Sequence, residues 1–181
     1  MKSTVWLGES SLALAVLFAI VAIPGPLTAQ DQQTGGGGGE SSANMQVSAN
    51  VIRKCTVTAQ PMAFGNYDPV QANATAPLDA QTTLTVACTK GTSVTIAMDN
   101  GTNGQGTARR MTSGGANFLG YEVYKDSSRT QVWGAFGNGQ LNGGIAPSRD
   151  PRQFIVYGRV ASGQDVREGA FQDTVLVTVQ F

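Results

Sequence analysis

The residue types that most often do chemistry are scarce in this chain. Its 181 residues include no histidine and two cysteines, Cys55 and Cys88. Without a histidine, neither thiol has its commonest activating base. A zinc site built on them likewise lacks its usual completing ligand. Asp126 and Asp173 are the carboxylates to weigh as a pair for glycoside hydrolysis. The pattern instead puts Asp126 in a hairpin turn and Asp173 at a strand start, where Asp satisfies backbone donors. Gly35–Gly39 has no following Lys-Ser/Thr and so is not a phosphate loop. Gly101, Gly104 and Gly106 mark only a loop. The expectation is a non-enzyme with no catalytic, cofactor-binding or metal-ligating residues.

The cysteines gain meaning from the N-terminus. Lys2, an apolar run from Leu12 to Ile23, then Pro24-Gly25-Pro26 and Leu27-Thr28-Ala29 have the order of a secretory leader cut after Ala29. The run is too short to span a bilayer comfortably. Residues 1–29 are therefore read as a signal peptide, and the rest as exported. In an oxidising compartment the simplest reading of Cys55 and Cys88 is one disulfide, contributing about 3–4 kcal/mol through loop closure. Free reactive thiols or metal ligands are the alternative.

Twelve basic and twelve acidic residues give a net charge of zero, which offers no electrostatic case for nucleic acid or anionic lipid. Nor does any motif point to a small-molecule substrate. Only 13% of residues are charged. With abundant Gly, Thr, Val and Asn, that is the make-up of an extracellular β-protein with many turns.

These residues must be positioned by short strands. Residues 30–43, Gln-, Ser- and Gly-rich, read as a flexible tether. Cys55–Ala59 reads as a strand that Pro61 breaks, and Phe64–Pro69 as a turn. Val70 to Ala80 reads as a loop. Thr82, Leu84, Val86 and Cys88 share a strand face, as do Val94, Ile96 and Met98, before the Asn100-Gly101 turn. Arg110-Met111 starts a short strand, and Leu119, Tyr121 and Val123 mark the next. Val132-Trp133-Gly134 is an apolar island before a Gly- and Asn-rich loop reaching Pro151. Phe154–Val160, nearly continuous in apolar residues, reads as a central strand. No window has a convincing helical period, so the expectation is an all-β sandwich.

Two further stretches stand out. Asp173–Phe181 alternates strictly, with Val175, Val177, Val179 and Phe181 on one face. A terminal strand this apolar needs a partner along each edge, or it templates pairing with another chain. Met45, Val47, Ala49 and Val51 alternate with polar residues just after the glycines. They read either as a detached spare strand or as the first half of a strand continuing to Ala59. A sheet lacking a strand, on a chain carrying a spare one, suggests a subunit that polymerises.

The order of several elements carries a resemblance. Cys55, Phe64-Gly65-Asn66-Tyr67, Val86-Ala87-Cys88-Thr89-Lys90-Gly91 and Arg110-Met111 come first. Leu119-Gly120-Tyr121-Glu122-Val123-Tyr124-Lys125-Asp126, Trp133-Gly134, Tyr157-Gly158-Arg159-Val160 and Gly169-Ala170-Phe171-Gln172-Asp173 follow. From residue 45 onward the chain resembles the spore coat protein U domain family, whose members include the subunits of archaic chaperone–usher (Csu-type) pili. Phe171 departs from it, standing where the family usually has Tyr, and the glycine tether is longer than expected.

The resemblance implies an incomplete immunoglobulin-like β-sandwich, residues 55–181, lacking its last strand. Residues 44–54 would be a donor strand and link, with Met45, Val47, Ala49 and Val51 entering a neighbour. Val175, Val177, Val179 and Phe181 would wall the acceptor groove, which a donor strand from a neighbouring subunit completes. Implied partners are identical or related pilus subunits, a periplasmic chaperone and an outer-membrane usher. Implied localisation is export through the periplasm to the cell surface, or secretion, with roles in adhesion and biofilm formation. Only Ile52–Lys54 separate the spare strand from Cys55, a reach of about 10 Å. The strand itself spans roughly 23 Å, which favours donation to a neighbour over self-insertion. The alternatives are a secreted spore or cell-coat protein of the same family, or a carbohydrate-binding surface module stacking sugars on Tyr121, Tyr124, Trp133 and Tyr157. Asn73-Ala74-Thr75 and Asn100-Gly101-Thr102 fit the glycosylation sequon.

Overall fold

The computed structural model describes residues 38–181. The signal peptide expected at residues 1–29 and the first part of the tether lie outside them. The chain divides between Val47 and Ser48, and the unit from Ser48 onward carries every strand described. Residues 38–54 belong to no helix or strand, so no strand runs unbroken from Met45 to Ala59.

The eight strands among the described residues are β1 (Cys55–Ala59), β2 (Leu78–Cys88), β3 (Ser93–Met98), β4 (Arg109–Thr112), β5 (Phe118–Tyr124), β6 (Leu141–Ile145), β7 (Arg152–Val160) and β8 (Val177–Gln180). A one-turn helix α1 (Ala72–Thr75) and a 3-10 turn at Gly137–Gly139 are the helical pieces described. One sheet has the order β1-β2-β7-β5-β4 and the other β6-β3-β8. All pairings within them are antiparallel. The fold is an all-β sandwich with an incomplete strand set.

The alternation read from the sequence sets which faces meet. Leu84, Val86 and Cys88 of β2, Val123 of β5 and Val156 of β7 pack against Val94, Ile96 and Met98 of β3. Trp133 and Ala146 complete this core. Strand β7 is central, as expected. Its continuous apolar run does not mean burial on both faces, because Ile155 is 46% exposed. An antiparallel sheet can leave one face in water.

Two expectations need correction. The Gly- and Asn-rich stretch before Pro151 is not all loop. It holds β6, Leu-Asn-Gly-Gly-Ile, which pairs with β3 across an irregularity at Val94/Thr95. The loop expected from Val70 to Ala80 holds α1, and β2 already begins at Leu78. There the long ladder with β7, Leu78↔Val160 through Val86↔Arg152, extends the strand beyond what its own polar residues signal.

Cys55 and Cys88, paired across β1 and β2, are joined by a disulfide. It anchors the first residue of β1, an edge strand.

Candidate functional site

Strand β1 is exposed where its neighbour is buried. Cys55, Val57 and Ala59 lie opposite Cys88, Val86 and Leu84, so both rows face the interior. Val86 is wholly buried, yet Val57 is 41% exposed. Across from β1 runs the C-terminal segment. Its odd-numbered residues from Phe171 to Val179 are half-buried and its even-numbered ones exposed. Val175, Val177 and Val179 pack on the core. Only Val177–Gln180 form a ladder, on β3, and no strand among the described residues pairs with their other edge.

Between these two edges lies an apolar cleft of about 530 Å³. Ala59, Met62 and Phe64 line it from the β1 side, and Phe171, Val175 and Val177 from the C-terminal side. Leu84, Val123, Val156, Met98 and Met111 are contributed by the two sheets. It continues into a second cleft of about 820 Å³ between Met62–Tyr67 and Val166–Phe171. Met62, Phe64, Met111 and Phe171 belong to both. Gly158 makes room for this arrangement: a Cβ there would collide with Met62 and Phe64.

One polar cluster interrupts the apolar lining and holds its C-terminal wall. The Tyr121 hydroxyl donates to Asp173 Oδ2 at 2.7 Å. Thr102 Oγ1, the Asn103 amide nitrogen and Asn103 Nδ2 donate to Asp173 Oδ1 at 2.9, 3.0 and 2.9 Å. Partial burial works against the Asp173 charge, but donation from Tyr121, Thr102 and Asn103 outweighs it and holds the carboxyl below its ordinary range. Burial first, and then the bond to Asp173, push the Tyr121 hydroxyl far above its ordinary value. Gly101, in left-handed backbone at φ 77°, cannot carry a Cβ because the Asp173 carboxylate lies against it. The wall is also pinned along its main chain. Thr112 and Gln172 exchange backbone bonds at 2.9 Å, Thr102 N donates to Thr174 O at 3.0 Å, and Leu176 N donates to Asp99 Oδ1 at 2.9 Å.

Among the residues singled out from sequence, Val175 and Val177 line the cleft. Val179 sits on the same core, and Phe181, beyond β8, is 53% exposed. Met45, Val47 and Val51 are 84%, 80% and 81% exposed, and Ala49 is exposed. The aromatic residues do not form one sugar platform. Trp133 is wholly buried, with its indole donating to Ile96 O at 3.0 Å, and Tyr121 faces the cleft. Asn73 is buried, and its side chain serves Asp68 N and Ala76 O. Asp126 caps its own turn, accepting from Thr130 and Gln131.

Arg109 was not singled out from sequence. It is buried, forms an ion pair with Glu122, and donates to the carbonyls of Asp99, Met98 and Trp133 at 2.8, 3.1 and 2.7 Å. The signal was its spacing from Met111, which puts both on the inward face of β4. The groups at the end of β3 and at Trp133 are thereby tied to β4 and β5.

Residues 41–178 match the family described as Spore Coat Protein U domain. The chain belongs to the Spore Coat Protein U domain family. Within the reach of that family, it is 31% identical over 155 residues to Protein U of Myxococcus xanthus, covering 78% of this chain and 85% of that one. Among solved structures, it resembles CsuE in the CsuC–CsuE chaperone–tip adhesion subunit pre-assembly complex from archaic chaperone-usher Csu pili of Acinetobacter baumannii. That match has 27% identity and a TM-score of 0.54, and covers 72% of this chain. The chain spans 40% of the length of the subunit it matches there.

Proposed function

We propose that this Spore Coat Protein U domain protein is an exported subunit of a surface pilus, polymerised by donor-strand complementation. One observation carries the reading: an apolar cleft lies between two strand edges that no strand among the described residues pairs, β1 and the C-terminal segment. A strand laid there hydrogen-bonds along its edges and buries alternate side chains. Met45, Val47, Ala49 and Val51 have that spacing and are exposed. Their burial contributes roughly 5–9 kcal/mol as an upper bound. The link Ile52–Lys54 is held at its base, since Thr89 Oγ1 donates to Ile52 O and Thr89 N to Lys54 O. That short leash favours a neighbour's groove as the donor's destination. The likeness to a subunit held by a chaperone supports a periplasmic chaperone as the earlier occupant, an outer-membrane usher as the assembly platform, and a cell-surface location serving adhesion and biofilm formation.

The test expresses the full chain, with its leader, with and without residues 44–52 in a bacterial host and examines unboiled samples by gel. A detergent-resistant ladder from the full chain and none from the deletion is expected. A stable monomer in both cases overturns the reading. The identity to Protein U favours a second reading, a secreted coat protein of the same family. The same groove would then build a coat in place of a thread, and electron microscopy of the polymer separates the two.

A further inference from the structure

We propose that the groove is a site of methionine oxidation: a peroxide-class oxidant blocks strand insertion, and insertion shields the same sulfurs. The proposal rests on the donor-strand reading above. The chain has five methionines, of which Met1 begins the leader. Every other one belongs to the assembly machinery: Met45 lies in the donor segment, and Met62, Met98 and Met111 line the cleft. Thioethers suit such a groove because they are flexible and polarisable and fill irregular apolar gaps. Their liability is conversion to a polar sulfoxide.

Accessibility differs among the four. Met45 is 84% exposed, Met62 and Met111 are half-buried, and Met98 is 4% exposed. Met62 and Met111 line both sections of the cleft, so a solvent-borne oxidant reaches them before a strand is inserted. In the reaction the sulfur lone pair attacks a peroxide oxygen and the O–O bond breaks. An S–O bond forms, and the departing oxygen leaves as water after taking up the peroxide protons. The thioether loses two electrons and the peroxide gains them. The product oxygen needs a hydrogen-bond donor once a strand covers it. Tyr121, one of the polar side chains in the lining, already donates to Asp173. Around Met62 there is little slack, since its sulfur rests against Gly158, where even a Cβ would collide.

The test treats the exported subunit, recovered from the periplasm, with hydrogen peroxide and maps added oxygen at each methionine by mass spectrometry. Polymerisation is then followed by the unboiled gel ladder. Oxidised protein is expected to assemble on the order of tenfold more slowly, the effect of one uncompensated polar group in a dry site. A Met45→Leu, Met62→Leu, Met111→Leu variant, nearly volume-conserving, should assemble equally with and without peroxide. Finished polymer should take up oxygen at Met62 and Met111 more slowly than the free subunit, a measurement that needs no variant. Unchanged assembly with sulfoxide mapped at both positions overturns the proposal, as does equal oxidation of polymer and subunit. An untreated chain that forms no ladder instead overturns the donor-strand reading, and this proposal with it.

Discussion

Two adjoining patches of the sandwich are built differently. On one, buried Arg109 and Trp133 reach the carbonyls at Ile96, Met98 and Asp99, so the end of β3 is bound to β4 and β5. On the other, β1 and the C-terminal segment face each other across an apolar cleft. Val57 and Val86 stand opposite one another in the same sheet, one 41% exposed and the other wholly buried. The incompleteness is therefore local. The closed side ties the two sheets together, while on the open side strand edges and apolar side chains border a cleft.

The contrast can be broken from the closed side first. Arg109→Ala leaves Glu122 without its partner and three carbonyls without their donor. It should destabilise the domain by about 3–5 kcal/mol in denaturant unfolding. A loss below about 1 kcal/mol, the worth of a surface pair, would mean the closed side is not what holds the sheets together. Next comes Cys55→Ser with Cys88→Ser. Loss of the disulfide should lower stability by about 3–4 kcal/mol. Hydrogen exchange should show the first loss of protection in β1, because the bond anchors an edge strand, and uniform loss across both sheets would contradict that placement.

Asp173→Asn should have the smallest effect, about 1–3 kcal/mol from weakened charge-assisted bonds, and it also carries the pH dependence. Asp173 is held below its ordinary range in the folded protein, so its contribution is fully present above the unfolded carboxyl value. It fades as pH falls below about 4. Asp79, held down by the Arg159 side chain, adds a loss of the same sign. Acid unfolding of wild type and D173N should therefore converge as pH falls. A gap that stays constant with pH would show that Asp173 acts through shape and not charge.

Strands with clean alternation were legible because burial on one face selects residue types at every second position. β3, β5 and β7 all fall within a few residues of their expected bounds. Strand β6 was not legible, because Gly143 and Gly144 carry no side-chain signal. Gly144 sits at φ 69°, so pairing with β3 and not propensity makes that strand. The terminal stretch read as one strand from Asp173, but its ladder starts only at Val177. From Gln172 to Leu176 it is held by β4 and by the Asp99–Asn103 turn, long-range contacts that no local window contains. The cleft was legible only in its C-terminal wall. Met62, Phe64 and Gly158 follow Pro61 or interrupt an apolar run, and only the fold brings them together.

The placement of the C-terminal segment has a mechanical consequence. Gln172 is fastened to β4 of one sheet, and Val177–Gln180 to β3 of the other. The force that gathers apolar surface out of water also acts to squeeze a slot lined by Met, Phe and Val shut. A segment fastened at its two ends to different sheets resists that closure, because the gap cannot narrow without bending it or breaking an attachment. The segment thus works as a spacer, spanning the two sheets beside the slot.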